Sequence, residues 1–335
     1  MRCAAVSGVL LAAAIAVMYM SVTNGTFDLS ALDVLRTLLR LQSVSDYDLV
    51  VFEFRLPRIV IGALVGAALA VAGAALQGIT RNPLADPGIL GIHSAAGLAI
   101  VLYMFFVQGS IKEAGWLSAL TMPMFGWLGG LAAAILLLSL ARHRGILDPK
   151  RLILVGIALG TGFGAASLYI SLKMNPQDFE MATVWLAGSI YSASWMQIAA
   201  VLPWVVLLIP GIWLRSYRLD LLYLDEVSVA GIGLDKDRER LKVLLLCVGL
   251  ISAGVAVAGG VGFVGLIAPH IARRLVGIAY KYVLPVSGLV GMLMVLVGDF
   301  IGKTVFAPAE LPVGIVISVI GVPYFIYLMF RRQRR

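Results

Sequence analysis

Long apolar stretches, broken by short polar ones, run the length of the chain. A helix that crosses a bilayer needs about 20 mainly apolar residues. Ten stretches reach or approach that length: about 4–22, 58–78, 88–107, 119–140, 152–172, 195–214, 242–260, 262–278, 283–301 and 312–330. The pattern predicts an all-α, polytopic membrane protein with ten transmembrane helices. The eighth stretch holds Pro269, His270, Arg273 and Arg274 and is expected to be short or broken. The chain reads as one membrane domain over 1–335, with halves of about 1–172 and 195–335. The first apolar run exits through SVTNGT, which offers no A-x-A cleavage site, so it is expected to stay as the first helix.

Composition and charge add an orientation. Hydrophobic residues make up 61% of the chain and charged ones 13%, against about 45–50% and 25% in soluble domains. The net charge is +8, but the basic residues fall between apolar stretches and form no stripe for nucleic acid. With a cytoplasmic N-terminus, ten spans leave 19 of the 26 lysines and arginines in inner segments. Excess Lys and Arg mark the cytoplasmic side, so a multi-pass protein of the cell membrane is expected, with both termini cytoplasmic.

Little in the spans can do chemistry. Cys3 and Cys247 lie far apart in apolar surroundings, and His93, His143 and His270 lack metal-like spacing. No disulfide, metal or cofactor is expected. No nucleophile–base set and no paired carboxylates occur there, so no catalytic residue is expected and an intramembrane enzyme is disfavoured. Asp299 alone stands clearly within a span, with Lys303 one turn on as its obvious partner. Proton- and sodium-coupled carriers commonly place acids mid-membrane, so this scarcity argues against a secondary carrier. The stretch GDFIGKTVF (298–306) resembles a phosphate-binding loop. Three residues rather than four separate Gly298 from Gly302, a long apolar run precedes it, and the charge rule puts it on the outer side. Close helix packing explains its glycines better.

AVAG occurs at Ala70–Gly73 and at Ala256–Gly259, and at the same offset Pro83 matches Pro269 and Gly91 matches Gly277. Two five-helix halves as an inverted repeat would frame a substrate path at their interface. Gly156, Gly160 and Gly164 recur every four residues in the fifth stretch, as Gly62 and Gly66 do in the second. Tight packing explains such spacing; a smooth wall of a translocation path is the alternative for the fifth stretch. The longest inner polar segment, Arg215–Lys242, is studded with leucine and valine and broken at Gly231 and Gly233. Apolar residues in an exposed loop point to a docking surface for a soluble partner. On the outer side Arg55 and Arg58 flank Pro57. The stretch Asp28–Leu41 has helix-period apolar residues and is expected to lie along the membrane surface.

Four stretches carry a family resemblance: RLPRIVIGALVGAALAVAGAALQGITRNPLADPGILGIHSAAG, DEVSVAGIGL, GFVGLIAPHIARRLVG and AELPVGIVISVIGVPYFIYL. Together they resemble the FecCD family of ABC-importer permeases for iron–siderophores, haem and vitamin B12. LKMNPQDFEMATVW is most similar to Gram-positive permeases for ferric catecholate siderophores. The resemblance implies a ten-helix permease that does not hydrolyse ATP. Its implied partners are a sibling permease in a heterodimer, a cytosolic ATPase dimer and an extracellular siderophore-binding lipoprotein. The implied cargo is a ferric siderophore, with haem, vitamin B12 and hydroxamate siderophores as alternatives. Within loop 215–241, Asp225, Glu226, Val227, Ser228, Gly231, Gly233 and Leu234 would touch the ATPase. Arg55, Arg58 and Lys303 would meet acids on the binding protein. The fifth and tenth helices would line the path, with Gly156, Gly160 and Gly164 as candidates.

Overall fold

The computed structural model describes residues 2–333 except 26, 28, 42–44, 108–115, 144–145, 225–230 and 232. Helix α1 (Arg2–Thr23) is followed by α2 (Ala31–Leu38) and the short α3 (Ser45–Asp48). A π-helical stretch, Leu49–Arg55, then runs straight into α4 (Leu56–Thr80). The widening sits just before Pro57, whose ring crowds the carbonyl four residues back and whose nitrogen donates no bond. A 3-10 turn (Pro87–Leu90) leads to α5 (Ile92–Phe106), then α6 (Trp116–Ala141). A two-residue antiparallel ladder, β1 (Arg142–His143) with β2 (Ile146–Leu147), precedes α7 (Pro149–Ser171). The rest is helical: α8 (Pro176–Leu186), α9 (Trp195–Trp213), α10 (Ser216–Leu221), α11 (Lys236–Ala258), α12 (Val264–Val276), α13 (Tyr280–Thr304) and α14 (Val313–Gln333).

Each predicted stretch falls on a helix: α1, α4 to α7, α9 and α11 to α14. Seven apolar segments are long enough to cross a membrane, and α5 and the Val313–Tyr327 part of α14 are shorter apolar stretches. The doubtful eighth stretch, α12, has 13 residues and carries Arg273 and Arg274 in its last turn. Local chemistry sets the starts. Asp148 caps α7 and Asn175 caps α8, each with proline at the first helical position. Ser194 caps α9 in a reciprocal box with Gln197.

The core centres on α4 and α11, whose apolar windows are mostly buried. α4 and α13 run antiparallel with backbones in contact. A methyl group added at Gly66 would strike the Gly291 carbonyl, and one at Gly291 the Gly66 carbonyl. One turn away, Gly62 faces Val295. Only glycine permits this approach. Gly298 and Gly302 pack the end of α13 against Val313, Ile317 and Leu311, as expected. The two AVAG copies occupy unlike places: Ala70–Gly73 lies within α4, whereas Ala256–Gly259 closes α11.

Candidate functional site

The Gly66–Gly291 crossing places the charges. Eight residues before Gly66 comes Arg58, and eight after Gly291 comes Asp299. Each lies about 12 Å along its helix from the crossing, so antiparallel packing brings them together. Arg58 Nε donates to Asp299 Oδ1 at 2.8 Å and Oδ2 at 3.0 Å, and Nη1 donates to Glu310 Oε2 at 2.7 Å. The guanidinium also lies over Tyr191, 5.6 Å from the ring centre. Side-chain exposure is 13% for Arg58 and 5% for Asp299. Removing one partner would leave the other charge buried, which sets the strength of the pair. A cavity of about 340 Å³ opens beside it, lined by Arg58, Asp299, Glu310, Ser189 and Tyr191. Asp299 thus takes its salt bridge from Arg58 rather than from Lys303. Local spacing had favoured Lys303, but the helix crossing decides.

Lys303 turns to the end of α1. Its ammonium donates to Ser21 O at 2.6 Å and Ser21 Oγ at 2.8 Å. Arg55, in turn, donates to Val22 O and Phe27 O. The last carbonyls of a helix lack partners within it and carry partial negative charge. α1 has no basic residue in its own last turn, so two other segments supply the cations. All three outer cations expected to face a partner are therefore engaged within the chain. Arg55 is 9% exposed, and of the three Arg58 lines the open cavity.

The opposite end of the bundle has the opposite charge pattern. The buried Glu239 accepts from Arg215 Nη1 at 2.8 Å and from Arg218 Nη1 at 2.6 Å. Arg81 holds the chain after α10, donating to Leu222 O at 2.8 Å and Leu224 O at 2.7 Å. Of the loop residues expected to touch an ATPase, Asp225, Glu226, Val227 and Ser228 lie outside the described residues. Gly231 and Gly233 are exposed and Leu234 is half-buried. Gly233 has φ +74°, a left-handed conformation suited to glycine.

The path candidates divide. Gly156 packs on the backbone of Ile89 and Leu90, and Gly160 approaches Gly91. Close packing therefore accounts for both. Gly164 is exposed, with nothing where its Cβ would lie.

Two features escaped the sequence reading. Gln77, fully buried in α4, donates to Ala85 O and Gly265 O, both at 3.3 Å, and accepts from Arg273. It ties α4 to the following turn and to α12. A lone amide within an apolar run was the available signal. Asp86 Oδ1 accepts from Gly88 N at 3.1 Å, while Oδ2 is out of water with no partner among the described residues. Burial pushes this carboxyl up to about 6, against the bond from Gly88, which lowers it. Among the described residues no His, Cys, Asp and Glu gather as a metal centre would require.

The model of the FecCD transport family matches residues 11–331. The chain is 49% identical over 324 residues to the iron-uptake system permease protein FeuC of Bacillus subtilis, covering 97% of this chain and 96% of that one. It is 43% identical over 317 residues to the iron(3+)-hydroxamate import system permease protein FhuG of the same organism, covering 95% and 94%. A solved metal-chelate type ABC transporter in an inward-facing conformation superposes with a TM-score of 0.83 at 29% identity, covering 97% of this chain and 98% of that one.

Proposed function

The chain belongs to the FecCD transport family, whose members are permease subunits of ABC importers, and on that premise we propose that it carries a ferric siderophore of the catecholate type. The observation that carries the iron reading is the likeness to an iron-uptake permease over nearly the whole of both chains. The stretch LKMNPQDFEMATVW, which runs into α8, supports the catecholate choice. The hydroxamate permease at 43% identity supports a second reading, a hydroxamate cargo.

In this reading ten helices span the membrane as two five-helix halves, with both termini cytoplasmic. An ATPase dimer engages the loop from Asp225 to Leu234 and supplies the work of ATP hydrolysis. A sibling permease covers the open face of α7, with Gly164 toward the shared path. An extracellular siderophore-binding lipoprotein docks at the end where Arg55, Arg58 and Lys303 gather. Arg58 is the group that meets its carboxylate, by exchange with Glu310, while Arg55 and Lys303 add positive field and hold α1. Such rim charges govern encounter rate and register more than affinity.

The test is uptake of labelled ferric catecholate and ferric hydroxamate by cells carrying the chain with its neighbouring subunits. Preferential catecholate uptake that stops when the ATPase is deleted is the expected result. A preference for hydroxamate selects the second reading. Uptake that survives loss of every ATPase but collapses with an uncoupler means a secondary carrier. Arg58→Glu is expected to slow capture of the binding protein in a pull-down at least tenfold, and unchanged capture removes Arg58 from the docking face.

A further inference from the structure

A second, larger cavity, about 670 Å³, opens at the opposite end of α4 from the Arg58 pair. Arg81, His270, Arg273 and Arg274 line it, and Asp220 is the one carboxylate among its lining residues. Asp220 is already committed, accepting from Tyr280 N at 3.0 Å at the start of α13. The arginines are held by neutral oxygens. Arg81 bonds the carbonyls of Leu222 and Leu224. Arg273 bonds the amide oxygen of Gln77 and the hydroxyl of Tyr280. Arg274 is exposed and forms no hydrogen bond or ion pair among the described residues. The forks are thus oriented while their charge stands uncompensated by the cavity lining.

The surroundings set the depth of this cavity in the membrane. Trp213 and Tyr282 stand exposed nearby, and Trp213 Nε1 bonds Lys281 O at 3.1 Å. Tyr217, the second residue of α10, is exposed. Such half-apolar rings gather where the hydrocarbon meets the headgroups. Ile278, on the cavity lining, is 82% exposed, an apolar contact beside a basic hollow.

We propose that this cavity binds the phosphate headgroup of an anionic phospholipid, with Arg274 as the principal contact and Arg81 and Arg273 as fixed supports. Guanidinium forks match phosphate oxygens in geometry as well as charge. Basic pockets between membrane helices at this level suit acidic headgroups. The aromatic belt and Ile278 favour a lipid over a soluble phosphate or nucleotide, because a free anion needs no apolar neighbour. The proposal does not depend on the cargo.

Native mass spectrometry on the full chain, purified with its partner subunits in mild detergent, tests this. Phosphatidylglycerol or cardiolipin should be retained in preference to phosphatidylcholine. Arg274→Gln should weaken that retention about fivefold, the worth of one surface cation toward an anionic leaflet. The residue is exposed and unbonded among the described residues, so the variant should keep its melting temperature. Arg151→Gln, at the start of α7, should leave retention unchanged. Equal retention of neutral and anionic lipids, or of anionic lipid by wild type and Arg274→Gln, overturns the proposal. So does release of the lipid by millimolar inorganic phosphate, which would mark a site for a soluble anion.

Discussion

At one end of the bundle a single guanidinium lies between two carboxylates; at the other a single carboxylate lies between two guanidiniums. Arg58 bonds Asp299 and Glu310, whereas Glu239 bonds Arg215 and Arg218. The two clusters look alike as ion pairs and differ in their remainder. The Arg58 cluster leaves an acid over, with Lys303 as the nearby cation. The Glu239 cluster leaves a cation over, and Arg81, Arg273 and Arg274 add to it. They differ in depth as well. Arg58 is 13% exposed, but Arg215 and Arg218 are 27% and 48% exposed. Water can take over Arg215 and Arg218 if their acid is lost. It reaches Arg58 less.

That difference orders the expected effects. Asp299→Ala should be the most damaging, with a loss of about 3–5 kcal/mol of stability, because it leaves Arg58 buried beside one half-exposed acid. Thermal unfolding in detergent measures it, and Arg58→Leu with Asp299→Leu should recover at least half of the loss. If the double change is as damaging as both singles added, the two residues do not act as a pair. Glu239→Ala should cost less, about 1–2 kcal/mol, since its arginines can turn to solvent. A larger loss than for Asp299→Ala would reverse the comparison.

Asp86 gives a smaller, pH-dependent effect. Burial raises its carboxyl from 3.8 to about 6, so over that window the folded chain holds a proton that the unfolded chain releases. Its contribution to stability is present below about pH 4, is lost as pH rises toward about 6, and is flat above. Asp86→Asn should remove this slope and add about 1 kcal/mol at pH 7.5 while adding little at pH 4. Melting curves at the two pH values decide it; equal shifts at both would mean the proton plays no part.

The helices under the ten apolar stretches were legible because a span must be long and apolar whatever it packs against, and seven segments are long and apolar enough to cross a membrane. The partner of Asp299 was not. Its salt bridge joins residues 241 positions apart, and nothing local points to that distance. The signal lay in register: Arg58, Gly62 and Gly66 step along α4 as Asp299, Val295 and Gly291 step back along α13. Reading it requires knowing that the two helices meet at glycine. Lys303 was misleading for a related reason. Its spacing suits Asp299 on one helix, but the unsatisfied carbonyls at the end of α1 give it neutral acceptors that no helix pattern reveals. The packing of Gly156 and Gly160 was one of two readings, and both glycines do approach neighbouring backbone at Ile89, Leu90 and Gly91.

The glycine crossing has a mechanical consequence. Side chains between helices act as bearings: they change rotamer and let one cylinder slide over the next. Between α4 and α13 the crossing holds backbone against backbone and the methyl group of Ala70, with no longer side chain next to either glycine, and a packed interior does not yield by small amounts. The two helices therefore behave as a single strut, pinned at Gly66 and Gly291 and riveted two turns away by Arg58 and Asp299. A subunit that changes shape must do so around this strut. α7 has a freer face, with nothing where a methyl group at Gly162 or Gly164 would lie. Spin labels on α4 and α13 should keep one separation through a nucleotide cycle while a label on α7 moves against both.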